Sequence, residues 1–110
     1  KIEHVIGDVE GRNCVIVDDM ISTGGSITQA ASVLRKSGAK EIVIAVSHAV
    51  FCGPAVQRLD EAPVDHILVT DTIPTADPAP KKLVTISVAS LVAQAIRNIH
   101  AETSVSSLFE

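Results

Sequence analysis

Apolar residues in this chain fall into four short runs, with helical stretches between and after them. The runs are "CVIV" (Cys14 to Val17), "IVIAV" (Ile42 to Val46), "ILV" (Ile67 to Val69) and "LVTI" (Leu83 to Ile86). They are rich in β-branched residues and mostly lack the alternation of a half-solvated strand, as expected for strands covered on both faces. Between the runs the spacing becomes helical. Ile27, Ala30, Ala31 and Leu34 share one face, Arg35 and Lys36 suit the end of a helix, and Gly38 is a natural stop. Gly53-Pro54 opens a shorter helix reaching about Leu59, with proline in its favoured first turn. In the last helix Ser87 is the expected cap, and Val88, Leu91, Val92, Ala95, Ile96 and Ile99 make one stripe. Pro74, Pro78 and Pro80 place a loop between the third and fourth strands.

The order strand, helix, strand, helix, strand, strand, helix predicts an α/β domain. The expected architecture is three layers, a mainly parallel sheet with helices on both faces, formed by residues 1–110 as one unit without internal repeats. In such a sheet the ligand edge is the carboxyl end of the strands, where loops and helix N-termini converge. The first run leads into Asp18 and Asp19, the second into Ser47 and His48, and the third into Thr70, Asp71 and Thr72. Three strand ends therefore deliver polar groups to one rim.

Composition narrows the function. An apolar content of 46% is enough for a real core, while aromatic residues are only 2% and the net charge is -4. The chain lacks both the stacking platforms and the basic surface of a nucleic-acid binder, and its charge does not suit an anionic membrane. Cys14 and Cys52 have no metal-ligand or redox-motif spacing, so a reduced, cytoplasmic protein is expected. No apolar stretch approaches the roughly 18 residues of a membrane helix. The chain starts at Lys1 and its one methionine is Met20, as expected of a piece of a longer protein.

The stretch "VIVDDMISTGGSI", Val15 to Ile27, carries the chemistry. Carboxylates only accept hydrogen bonds, so Asp18 and Asp19 repel a phosphate but suit hydroxyl donors or a divalent cation. Ser22, Thr23, Gly24, Gly25 and Ser26 offer the reverse: hydroxyls and backbone N–H donors at the start of a helix, with glycines letting the main chain come close. A ligand with a phosphate at one end and vicinal hydroxyls at the other satisfies both halves, and ribose 5-phosphate fits. A Walker loop needs a lysine that is missing between Arg12 and Arg35, and a dinucleotide fingerprint is absent too.

"VIVDDMISTGGS" resembles the phosphoribosyl-binding motif of type I phosphoribosyltransferases and their relatives. Together with "GDVEGR", "SHAVFCGPAVQRL", "VTDTIP" and "AIRNIH...ETSVSSLF", the chain from about Val5 to Phe109 resembles the C-terminal portion of the ribose-phosphate pyrophosphokinase family. That resemblance implies transfer of pyrophosphate from ATP to the C1 hydroxyl of ribose 5-phosphate with Mg²⁺, in a homo-oligomer that is a hexamer in the family. It also implies that Asp18 and Asp19 bind the ribose hydroxyls, directly or through metal, and that Ser22 to Ser26 cradle the 5-phosphate. Many members carry Asp where this chain has Ser22. Ser104, Ser106 and Ser107 resemble part of the family's regulatory nucleotide or phosphate site between subunits.

No catalytic residue is assigned within these residues. The loop from Ser22 to Ser26 has no cation in reach along the sequence, and Lys40, Lys81 and Lys82 fall in segments that need not face the rim. The resemblance places the catalytic Lys and Arg loop just upstream of residue 1 and much of the ATP and metal sites in an N-terminal half, so these residues alone are expected to be catalytically silent. Two other functions use the same motif: a phosphoribosyltransferase that exchanges a base at C1, and a non-catalytic relative that regulates the synthetase by co-assembly. His48 is read either as approaching the site or as a local hydrogen-bonding residue, and Thr70, Asp71 and Thr72 as pocket-lining or as cap and turn residues.

Overall fold

A computed structural model describes residues 4–110. Its elements are β1 (Asn13–Ile21), α1 (Gly25–Lys36), β2 (Glu41–Ala49), α2 (Ala55–Glu61), β3 (His66–Thr70), β4 (Leu83–Ile86) and α3 (Ala89–His100), followed by a 3₁₀ turn at Ser106–Phe109. The four strands form one sheet in the order β1-β2-β3-β4, every pair parallel. All carboxyl ends therefore lie on one edge, as the polar residues following the apolar runs require.

β1 is longer than its apolar run. Asp18 pairs with Val46 and Met20 with His48, because ladder hydrogen bonds come from the backbone and do not need apolar side chains. The two acids thus stand inside the end of the strand and not after it. A parallel neighbour on one side fixes their main chain, which makes them a firmer platform than a loop would be.

Successive parallel strands laid side by side and joined by crossovers of one hand put their helices on one face. Ile27 and Ala31 of α1 and Ala55 and Leu59 of α2 accordingly join Ile42, Ile44, Val46, Ile67 and Val69 in a single core. The opposite face carries Val15, Val17, Val84 and Ile86 exposed, Val17 at 76%. Burial thus alternates along strands whose sequence does not alternate, and Cys14 is half-buried. Both faces are apolar, and α1 and α2 cover one of them.

α3 forms where its stripe predicts, with no residue buried and Ile96 and Ile99 well exposed. The radius of gyration, 16.4 Å, exceeds the about 13 Å of a compact domain this size, as an outlying helix requires. Its start is held differently from expectation. Val88 is the N-cap, its N–H donates to Asp71 Oδ1 at 2.8 Å, and Ser87 Oγ accepts from the Ala89 N–H at 3.2 Å. The capping work is shared between Ser87 and a residue at the end of β3. Likewise Pro54 caps α2 and does not lie in its first turn.

Candidate functional site

Residues Asp18 to Ile27 line a groove of about 200 Å³ at the carboxyl edge of the sheet. All of the sequence-expected sugar and phosphate residues, Asp18, Asp19, Ser22, Thr23, Gly24, Gly25 and Ser26, are on its wall. Asp18 and Asp19 are both exposed. One oxygen of Asp18, Oδ1, accepts a hydrogen bond from the Asp19 N–H at 2.8 Å, which orients the carboxylate along the strand. Two acceptors therefore stand at one end of the groove.

At the other end the chain turns into α1. Gly24 is the N-cap with φ +80°, a left-handed conformation that a side chain resists, and a Cβ there would meet Ala55 Cα of α2 at 3.7 Å. The first carbonyl of the helix is taken by the Thr28 N–H at 3.1 Å, while Thr28 Oγ1 donates to Gly24 O at 2.6 Å. No carbonyl among the described residues accepts from the N–H groups of Thr23, Gly24, Gly25 or Ser26. Those of Gly24, Gly25 and Ser26 are unsatisfied donors at the start of a helix, which carry partial positive charge, and that of Thr23 lies just before them. A single groove thus joins an acceptor end to a donor end.

The "SHAVFCGPAVQRL" segment supports this loop from beneath. Phe51 N–H donates to Ile21 O at 3.0 Å and Cys52 N–H to Ser22 O at 2.9 Å, so the strand end and the β2–α2 turn are stitched together. Ser22 Oγ lies 3.0 Å from Cys52 Sγ, so this hydroxyl is engaged with the turn. Arg58, one helical turn beyond Ala55, donates from Nη1 to Thr23 O at 3.1 Å. Reasoning along the sequence missed this cation, which is 35 positions away; only the docking of α2 brings it to the loop.

The other rim residues are not brought to the groove. His48 Nδ1 hydrogen-bonds Thr72 Oγ1 at 2.7 Å, and Thr70 and Thr72 both donate to Ser47 O, which makes His48 the local partner of a β2–β3 clasp. Asp71 serves as an anchor for α3: the Ser87 hydroxyl first, and then the Val88 N–H, hold its carboxyl below the ordinary Asp value. Lys40, Lys81 and Lys82 precede β2 and β4, at the amino edge; Lys82 Nζ donates to Val64 O at 2.7 Å. Ser104, Ser106 and Ser107 sit beyond the end of α3. Ser104 and Ser106 hydroxyls pair at 2.9 Å, and Asn98 of α3 donates to Ser104 O at 2.8 Å.

Among the described residues no three His, Cys, Asp or Glu side chains cluster as a metal site. Asp18 and Asp19 are exposed carboxylates, and a single such oxygen donor suits a hard cation that takes its remaining oxygens from a bound ligand and water, as Mg²⁺ commonly does. No helix of the described residues is long and apolar enough to cross a membrane.

The family described as "Phosphoribosyl synthetase-associated domain" matches residues 2–110. The ribose-phosphate pyrophosphokinase of Rhodopirellula baltica is 55% identical over 104 residues, which are 94% of this chain and 33% of that protein. That of Aquifex aeolicus is 42% identical over 109 residues, 99% of this chain and 35% of the relative. The crystal structure of phosphoribosylpyrophosphate synthetase from Mycobacterium smegmatis superposes with a TM-score of 0.84 at 43% identity, covering 88% of this chain and 33% of that one. The likeness bears out the three-layer α/β class with its mainly parallel sheet. The chain spans about a third of the length of the relatives it matches.

Proposed function

Since the chain belongs to the family of phosphoribosyl synthetase-associated domains, we propose that it is the ribose 5-phosphate half-site of a ribose-phosphate diphosphokinase, the C-terminal domain of a longer two-domain chain. The observation that carries this reading is the groove from Asp18 to Ile27, with carboxylate acceptors at one end and free helix-start amides at the other. The 5-phosphate lies against the amides of Thr23 to Ser26, with the Thr23 and Ser26 hydroxyls beside it. Asp18 and Asp19 accept from the ribose hydroxyls, which leaves C1 open to the rest of the enzyme.

The relatives named above are pyrophosphokinases, which favours phosphate-donor chemistry at C1 over base exchange. ATP is the second substrate of the whole protein. Mg²⁺, when bound, neutralises phosphate charge; Asp18 and Asp19 would hold it together with the substrate's hydroxyls. These residues contribute binding and orientation, while the cations that stabilise the transferring phosphoryl group come from elsewhere in the enzyme. The working form is a cytoplasmic homo-oligomer, with Ser104, Ser106 and Ser107 at a regulatory anion site between subunits.

Calorimetric titration with ribose 5-phosphate, ribose and inorganic phosphate, each with and without Mg²⁺, tests the reading. Ribose 5-phosphate should bind at least tenfold more tightly than either half, because both ends of the groove contribute (tenfold is about 1.4 kcal/mol). Affinity equal to that of phosphate alone would contradict it.

A further inference from the structure

We infer that Arg58 is a positioning residue of the phosphate loop, and that Gly25 is a glycine in order to make room for it. The inference rests on the proposed assignment of Thr23 to Ser26 as the phosphate cradle. Two distances to one atom carry it. Arg58 Nη1 donates to Thr23 O at 3.1 Å, and the same atom lies 3.3 Å from where a Cβ on Gly25 would stand. The two loop glycines thus differ: Gly24 meets a backbone requirement at φ +80°, whereas Gly25 has no such φ, and a Cβ there would press the Arg58 tip by a few tenths of an ångström away from its bond to Thr23.

A peptide carbonyl and the N–H that follows it point in opposite directions across one planar unit. By holding the Thr23 carbonyl on the α2 side, Arg58 turns the N–H of Gly24 toward the groove, and the neighbouring amides follow through the helix start. A guanidinium suits this task better than an ammonium. Its planar fork lies flat against backbone, and it stays charged at any working pH. The arginine also places positive charge behind an anion site without entering it. Ala55 and Arg58 are three apart on one face of α2, so one short helix sets the back wall of both glycines.

The test is a double-mutant cycle on phosphate affinity, read together with the amide positions of Thr23, Gly24, Gly25 and Ser26 by NMR and with thermal unfolding. Arg58→Ala should weaken inorganic phosphate and ribose 5-phosphate alike by about tenfold, and should move those four amides. Gly25→Ala should cost a similar factor in the wild-type background and nothing further in Arg58→Ala, because the contact it crowds is gone. Arg58→Lys should recover less than half of the lost binding on a logarithmic scale. Additive losses in the cycle, or full binding by Arg58→Lys, would overturn the inference, the latter showing that charge alone suffices. If Arg58→Ala does not fold, Arg58→Lys decides alone: impaired phosphate binding supports the inference, and wild-type binding refutes it. A wild-type protein that takes up neither phosphate nor ribose 5-phosphate would sink the proposed function and this inference together. Unchanged affinity in Arg58→Ala beside normal wild-type binding would sink this one only.

Discussion

Asp65 Oδ2 accepts a hydrogen bond from the Ile42 N–H at 2.8 Å, tying the turn before β3 to the start of β2. That N–H, together with the Arg35 guanidinium at 3.1 Å, holds the Asp65 carboxyl below its ordinary value of 3.8. Asp71 is lowered as well, by the Ser87 hydroxyl and then by the Val88 N–H. A carboxyl whose folded-state pKa is depressed adds stability that is complete above its unfolded value, near about 3.9, and is lost as pH falls through the folded value. Thermal unfolding should therefore be flat with respect to these groups above about pH 5 and should weaken below about pH 4. Asp65→Asn should flatten part of that acid limb; an unchanged limb would show that the ties do not discriminate between charge states.

Arg35 makes four contacts at the amino edge: Nη1 to Ala39 O and Lys40 O, and Nη2 to Pro63 O and to Asp65. Because these acceptors belong to the α1–β2 and α2–β3 connections, one side chain closes both. Arg35→Ala should cost about 1–3 kcal/mol in denaturant unfolding. It should leave phosphate affinity unchanged, since the edge it braces is opposite the groove.

The two faces of the sheet should respond differently to truncation. Ile44 is fully buried at the centre of β2, and Ile44→Ala should cost about 2–5 kcal/mol. Val17→Ala, on the uncovered face of β1, should change stability by less than about 0.5 kcal/mol. Comparable losses at both positions would show that the Val17 face is covered in solution.

Thr28 back-bonds to the cap of α1, from Oγ1 to Gly24 O at 2.6 Å and to Gly25 O at 3.2 Å. Thr28→Val keeps the shape and removes both bonds. Stability should fall by about 1 kcal/mol, and phosphate affinity should fall with it, because the Gly24 carbonyl then keeps only its backbone bond from residue 28. Loss of stability without loss of affinity would show that the loop is held from α2 alone.

The site was legible in the sequence because its two halves are adjacent: Asp18, Asp19 and the turn through Ser26 occupy nine consecutive positions, so no tertiary contact is needed to see the pairing of acceptors with donors. Arg58 was not legible, since its role depends on where α2 docks. The roles of Ser47, Thr70, Thr72 and His48 also needed the β2–β3 register to choose between pocket and clasp. The strands were visible as apolar runs, but runs without alternation cannot tell which face their own chain covers. Val15 and Val17 are as apolar as Ile42 and Ile44, and only the side on which α1 and α2 pack separates them. The stripe of α3 gave its helix and not its partner, for the same reason.

The division of the groove into an acceptor end and a donor end is tested most directly by Asp18→Ala, with ribose 5-phosphate and inorganic phosphate titrated side by side. Ribose 5-phosphate affinity should drop about tenfold or more, while inorganic phosphate affinity should hold or rise slightly as a nearby negative charge is removed. Equal losses for the two ligands would contradict the assignment of the acids to the sugar hydroxyls.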